Sequence, residues 1–336
     1  MFSLTAGLTL SLSAQAAEVN LRFAHFWPAT SGISQELESW GKNIEEKSAG
    51  RIHVEMYPSQ MLAKAPKVYD SVVTGVADVG ASIQGYTANR FPRSQLVELP
   101  GIVATGQQGS CIIQNLYQEG MFDKEYDDAH VLFMFTHGSG HIHTKDKAIK
   151  TPADLDGVMI RRPTVVAGEL LKGLGAEPVG LAAPEMYGAM SRGVINGVTL
   201  PWEAMTSFRL NELADKHTQI GLYSLAFVVT MNNRVYDSMP DDLKQIVSDN
   251  SGIEWALKLG AAYDRLDKKG LQQAKDMGHE ITVIEGGVQN SEWKPMIDTA
   301  VNTYTQSLKE QGINADPIIN RAKALSETCN QQVVIK

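Results

Sequence analysis

One pattern occurs twice in this chain and limits what it can fold into. Ala65-Pro66-Lys67-Val68-Tyr69 leads, five residues on, to Gly75-Val76-Ala77-Asp78. Ala183-Pro184-Glu185-Met186-Tyr187 leads likewise to Gly193-Val194-Ile195-Asn196, at an offset of 118 residues throughout. Pro suits the first turn of a helix, Tyr can pack that helix on a sheet, and Gly ends it. The apolar residues that follow begin a strand. A helix-then-strand unit repeated in register predicts two similar α/β lobes. The length of 336 residues is too great for one small core and sufficient for two.

The segments around the first copy complete a βαβαβ pattern. Residues 19–26 alternate and read as a first strand. An amphipathic helix runs to about Ser48 and ends before Gly50, and 51–57 forms a second strand. After the helix at 65–74, residues 76–82 form a third, which predicts a parallel sheet. Residues 130–136, 223–232 and 279–285 read as further strands. Ser238-Met239-Pro240-Asp241-Asp242 reads as a helix start, with a cap, Pro and acids in the first turn. The helical pattern continues to about Asp276, interrupted by Gly252, Gly260 and Gly270. Unbroken, it would span on the order of 55 Å, enough to cross both lobes. Helices are expected at 293–311 and 314–326.

The formal net charge is −8, which argues against a nucleic-acid partner. Residues 1–16 read as a signal peptide: an apolar run ending in Ala14-Gln15-Ala16, an A-x-A cleavage site. A periplasmic mature chain without membrane insertion is therefore expected. Cys111 and Cys329 would be free to form a disulfide there, though nothing in the sequence shows whether they meet.

Residues 157–181 form the second βαβ unit: a buried strand, Arg161 and Arg162, Pro163, a helix, and a short strand. In open α/β sheets ligands collect beyond the carboxyl ends of strands. An arginine there offers a planar fork that matches a carboxylate; it can also serve in a structural ion pair.

The stretch 150–201, KTPADLDGVMIRRPT followed by LGAEPVGLAAPEMYGAMSRGVINGVTLP, resembles the extracytoplasmic solute-binding subunit of TRAP (tripartite ATP-independent periplasmic) transporters. It carries the K-T-P-x-D-L-x-G lead-in, the I-R-x-P core, G-A-x-P-V, and E-x-Y-x-A with its G-V-[VI]-[DN]-G turn. MNNRVYDSMPDDL resembles that family's strand-to-long-helix junction. The resemblance implies an α/β fold of two-lobed periplasmic-binding-protein type with a long helix spanning both lobes. It implies a first lobe of residues 17–138 and 225–265 and a second of 139–224 and 266–336, with hinges near 138–140 and 223–227. The function implied is capture of an organic acid by domain closure and delivery to a TRAP permease, by a monomer that needs no cofactor. The family's ligand arginine falls on Arg161. A second basic ligand residue found in many members is His141 here, and an Asn found in several is Leu200.

Phe26, Trp27, Trp202 and Phe208 fall on loops or strand ends that face the cleft in such a fold, or else in the core. With Leu200 they point to an apolar or aromatic acid. Gln84, Tyr86, Glu203, Phe227 and Asn232 occupy further strand-end positions. Glu203 would repel an anion unless the ligand also carries a donor. His137, His141 and His143 could supply part of a zinc site, but no further ligands are suitably spaced. An exported hydrolase on a similar scaffold is the alternative function, although the G-x-S-x-G elbow is absent.

Overall fold

The computed structural model describes residues 17–122 and 124–332; the expected signal peptide, residues 1–16, lies outside them. In chain order the elements are β1 (Val19–His25), α1 (Gly32–Lys47), β2 (Ile52–Tyr57), α2 (Val68–Thr74), β3 (Val79–Ile83), α3 (Gly106–Gln118) and β4 (Ala129–Thr136). Next come β5 (Gly140–Thr144), β6 (Met159–Arg162), α4 (Val165–Gly173), β7 (Glu177–Gly180), α5 (Met186–Ser191), β8 (Gly197–Leu200), α6 (Trp202–Ser207) and β9 (Lys216–Tyr223). Then follow β10 (Ala226–Asn232), α7 (Asn233–Ser238), α8 (Asp241–Asp249), α9 (Ile253–Asp276), β11 (Glu280–Val283), α10 (Lys294–Glu310) and α11 (Asp316–Gln332).

Two sheets result, one per lobe, in the orders β2-β1-β3-β10-β4 and β11-β9-β5-β8-β6-β7. Each begins with three parallel strands, β2-β1-β3 and β7-β6-β8. Each then takes in an antiparallel strand from outside its own βαβαβ unit. β10 lies between β3 and β4, and β5 between β8 and β9. The sheets are therefore mixed rather than parallel.

The repeat is physical as well as textual. Both copies open on a short 3-10 turn, Ala65–Lys67 and Ala183–Glu185. The last polar residue of each copy ties its strand to the neighbour. Asp78 accepts the Arg22 amide at 2.8 Å, and Asn196 accepts the Met159 amide at 3.1 Å.

The helical pattern expected from Ser238 to Asp276 is two helices, α8 and α9, and Ser238 itself ends α7. Asn232 rather than Ser238 is an N-cap, accepting the Val235 amide and starting α7. Pro240 starts α8, and Gly252 at φ 69° separates α8 from α9. The 24-residue α9 spans roughly 36 Å and still runs from one lobe to the other. Gly260 and Gly270 do not interrupt it; they let other backbones come close. A Cβ on Gly260 would meet the Gly106 carbonyl oxygen at 2.4 Å, and one on Gly270 the Trp202 carbonyl oxygen at the same distance. Between them, Asp264 accepts the amides of Gly106 and Gln107 at the start of α3. Asp267 accepts the Glu203 amide at the start of α6. One helix thus caps a helix from each lobe.

α10 packs on α4, but α11 returns to α3 of the first lobe. There Cys329 is bonded to Cys111 with 5.7 Å between their Cα atoms. Residues 316–332 accordingly pack with the first lobe, not with the second as expected. Their amphipathic pattern could not say which lobe would cover it.

Candidate functional site

The carboxyl ends of β1, β3, β6 and β8 converge between the lobes. The start of β10 joins them because that strand runs the other way. Phe26, Trp27, Arg161, Leu200, Glu203, Phe208 and Phe227, all read from sequence as site residues, line one cavity there. The cavity volume is only about 20 Å³, so the walls must part before a ring can enter. The aromatic rings pack on one another. Phe26 and Trp27 stack at 4.0 Å, and Trp27 lies 5.5 Å from Phe227. His137 and Tyr263, not among the expected site residues, complete much of the wall. Tyr263 comes from α9, and only the buried stripe of that helix hinted at it.

Arg161 is fully buried. Its Nε donates to the Leu181 carbonyl at 2.9 Å, one terminal nitrogen to the Tyr86 hydroxyl at 3.0 Å, and the other reaches the Thr199 carbonyl at 3.5 Å. All three partners are neutral, and among the described residues no carboxylate pairs with this guanidinium. A buried cation without a counter-ion is costly, and the fork still has donors to spare. Arg162, the next residue on the strand, turns to the other face and lies against Gly168 and Gly180, as alternation requires.

Tyr86 bridges the lobes. Its hydroxyl accepts from Arg161 and from the Ala183 amide at 2.8 Å, both in the second lobe. Thr164, the N-cap of α4, donates to Glu98 of the first lobe at 2.7 Å. Glu98 also accepts the Ala226 amide at 3.3 Å. His137 and Ser224 join the two crossing segments. The Nδ1 of His137 donates to the Gly138 carbonyl and its Nε2 accepts the Leu225 amide, while Ser224 donates to the His137 carbonyl. Burial holds His137 at about 3, so the ring is neutral.

Five expected site residues are not in the cavity lining; Tyr86, already described, meets it through Arg161. Asn232 ends β10 far from Phe227, because β10 runs antiparallel to β3; its amide ties to the Val72 carbonyl at 2.7 Å and its oxygen caps α7. Gln84 is buried beside the cavity-lining Ile83 and donates to the Phe227 carbonyl at 3.4 Å. His141 and Trp202 line a separate groove against α9 and the start of α3. An irregularity in β9 puts the Gly221 amide on His141 Nδ1 at 3.2 Å. Burial keeps that ring neutral, at about 4.

His143 forms a chain with two residues distant in sequence. Its Nδ1 lies 2.8 Å from His217 Nδ1, and His217 Nε2 lies 2.9 Å from His279 Nδ1. Among the described residues no group of three or more His, Cys, Asp or Glu is arranged to hold a metal.

Three buried carboxyls lie at or near the lobe boundary. Burial raises Glu98 to about 8, Asp267 to about 8 and Glu203 to about 7. Their unfolded values lie near 4, so above that the folded chain binds more protons than the unfolded one. Stability contributed by these protons is lost as pH rises through the folded values. The buried histidines have lowered values and oppose this only below about 6.5. Melting temperature is therefore expected to fall by several degrees between pH 7 and 9, and Glu98→Gln to flatten part of that slope. A flat profile in the parent protein would contradict the assignment.

A family model described as bacterial extracellular solute-binding protein, family 7, matches residues 23–308. The crystal structure of a TRAP solute-binding protein from Rhodoferax ferrireducens T118, in complex with copurified benzoate, is 33% identical. The match covers 94% of this chain and 99% of that one, with a TM-score of 0.89. A marine-metagenome TRAP solute-binding protein specific for aromatic acid ligands, from an unidentified microbe, was co-crystallised with 3-hydroxybenzoate. It is 35% identical, with 93% and 99% of the two chains covered and a TM-score of 0.89. The C4-dicarboxylate-binding periplasmic protein DctP of Rhodobacter capsulatus is 23% identical over 312 residues, covering 87% of this chain and 89% of that one.

Proposed function

The chain belongs to family 7 of the bacterial extracellular solute-binding proteins, and from that premise we propose that it binds a small aromatic monocarboxylate between its lobes. Arg161 takes the carboxylate and the rings of Phe26, Trp27 and Phe227 take the body of the ligand. The observation that carries this reading is a fully buried guanidinium with no acidic partner among the described residues, in a wall otherwise dominated by aromatic and aliphatic side chains. A charged pair formed in so dry a place is strong. A sugar acid would bring several hydroxyls to a wall with few groups to meet them, each left without a partner. Solved relatives bound to benzoate and 3-hydroxybenzoate support the same substrate class.

Binding is coupled to closure. In the open form Tyr86 and Arg161 separate, and the acid enters from the cleft. The closed form is stabilised by contacts that only it can make. The segments 138–140 and 223–227 act as hinges, and the first lobe moves as residues 17–138 and 225–265 together with α11. The acid then passes to a TRAP permease. The chain is exported by its N-terminal signal segment and acts as a monomer. Membership of this receptor family leaves no role for the exported-hydrolase alternative.

A thermal-shift screen of aromatic, aliphatic and sugar acids tests the substrate class. Benzoate-type acids are expected to raise the melting temperature most, and stabilisation by sugar acids alone would overturn the reading. Tyr86→Phe removes one interlobe hydroxyl and should weaken benzoate about 5- to 30-fold, the cost of one or two hydrogen bonds. Isothermal titration measures it, and an unchanged Kd would remove Tyr86 from the closure contact.

A further inference from the structure

We propose that Glu203 reads a hydroxyl on the ring of the bound acid, so that the site selects hydroxylated aromatic monocarboxylates over unsubstituted ones. This rests on the aromatic-acid reading and goes one step past it. Five side chains in the cavity wall carry polar atoms: Trp27, His137, Arg161, Glu203 and Tyr263. Both nitrogens of His137 are already bonded within the protein, and Arg161 is committed to the carboxylate. The Trp27 indole is hydrogen-bonded to the Tyr263 hydroxyl, which leaves Glu203, and the remaining proton of Tyr263, to meet a polar substituent.

Glu203 is 3% exposed. It lines this cavity and also the larger pocket beside it, together with Phe26 and Phe208. One carboxyl oxygen accepts from Ser207. The other accepts no hydrogen bond among the described residues. The side chain is not required to cap α6, because Asp267 already accepts the Glu203 amide at 2.7 Å. α6 has only six residues, so an acid in its first turn gains little from the helix dipole. A carboxyl group in an apolar wall beside an anion site would otherwise only weaken binding. Burial raises it to about 7, so near neutral pH it is part-protonated, its repulsion of the ligand carboxylate is reduced, and it can accept or donate. A buried group waiting for a hydroxyl penalises the analogue that lacks one.

The test compares benzoate with 3- and 4-hydroxybenzoate by isothermal titration on the parent protein, Glu203→Leu, Glu203→Gln and Tyr263→Phe. The parent is expected to prefer one hydroxybenzoate over benzoate by about tenfold or more. Glu203→Leu should bring that ratio close to one, chiefly by weakening the hydroxybenzoate. Glu203→Gln, nearly the same shape, should reduce the ratio at least about threefold and serves if the leucine variant does not fold. A parent ratio near one overturns the inference. So does an unchanged ratio in the Glu203 variants, an equal weakening of all three acids, or a preference lost only in Tyr263→Phe. Failure of every benzoate to bind the parent overturns the aromatic-acid reading itself, and this inference with it.

Discussion

Arg161→Met is expected to abolish useful binding of aromatic acids, raising the benzoate Kd at least a hundredfold. Truncating one partner of a buried, hydrogen-bonded charge pair costs about 2–5 kcal/mol, and here no other cation lines the cavity. The loss should not come from unfolding. The native guanidinium is buried without a counter-ion, and replacing such a charge by an apolar side chain of similar size is often close to neutral. Against that gain stands the loss of its bonds to Leu181, Thr199 and Tyr86. The ligand-free variant should therefore melt within a few degrees of its parent, while the melting shift caused by benzoate disappears. Benzoate bound with unchanged affinity would remove Arg161 from the site. A variant that melts far lower would make the arginine a structural residue.

The second large effect concerns the link between Cys111 and Cys329, which lie 218 residues apart. Removing it with paired Cys→Ser changes frees a very long loop in the unfolded chain. The loop-closure model puts the cost near about 5 kcal/mol, with native cross-links commonly giving 2–5. In a chain of this size that is a fall of about 5–10 °C in melting temperature. Both sulfurs are buried where α11 meets α3, away from the cavity. Benzoate affinity at low temperature should therefore hold. Differential scanning calorimetry with and without reductant reads the stability, and a change under about 1 °C would show that α11 stays docked without the bond.

The repeat at 118 residues led correctly to two matching sheets because each copy is a local device: a turn, a helix, a closing glycine, a strand. The place of Arg161 in the cavity wall was legible because it lies where a strand ends and a helix begins, and because the surrounding motif singled it out from Arg162. What sequence could not supply was the partner of each strand. Asn232 and Phe227 share one strand and both looked like strand-end residues. Only the reversed direction of β10 decides that Phe227 faces the cavity and Asn232 does not. His141 faces the separate groove beside an irregular pairing of β5 with β9, a strand distant in sequence. The breaks in the long helix were misjudged for a related reason. Gly252 breaks it through its own backbone, whereas Gly260 and Gly270 answer to neighbours that local sequence does not show.

The placement of β10 bears on how the molecule comes to exist at all. The first sheet stays split between β3 and β4 until residues 226–232 enter the gap. The second sheet, in turn, needs β5 from beside the crossing before β8 and β9 can join. Such interlaced pairings carry high contact order, and their loop entropy is lost before any contact repays it. A chain emerging from its amino end cannot complete either half early. The second sheet takes its last strand from residues 280–283 and the first lobe its bonded helix from 316–332, so each half is completed only near the carboxyl end.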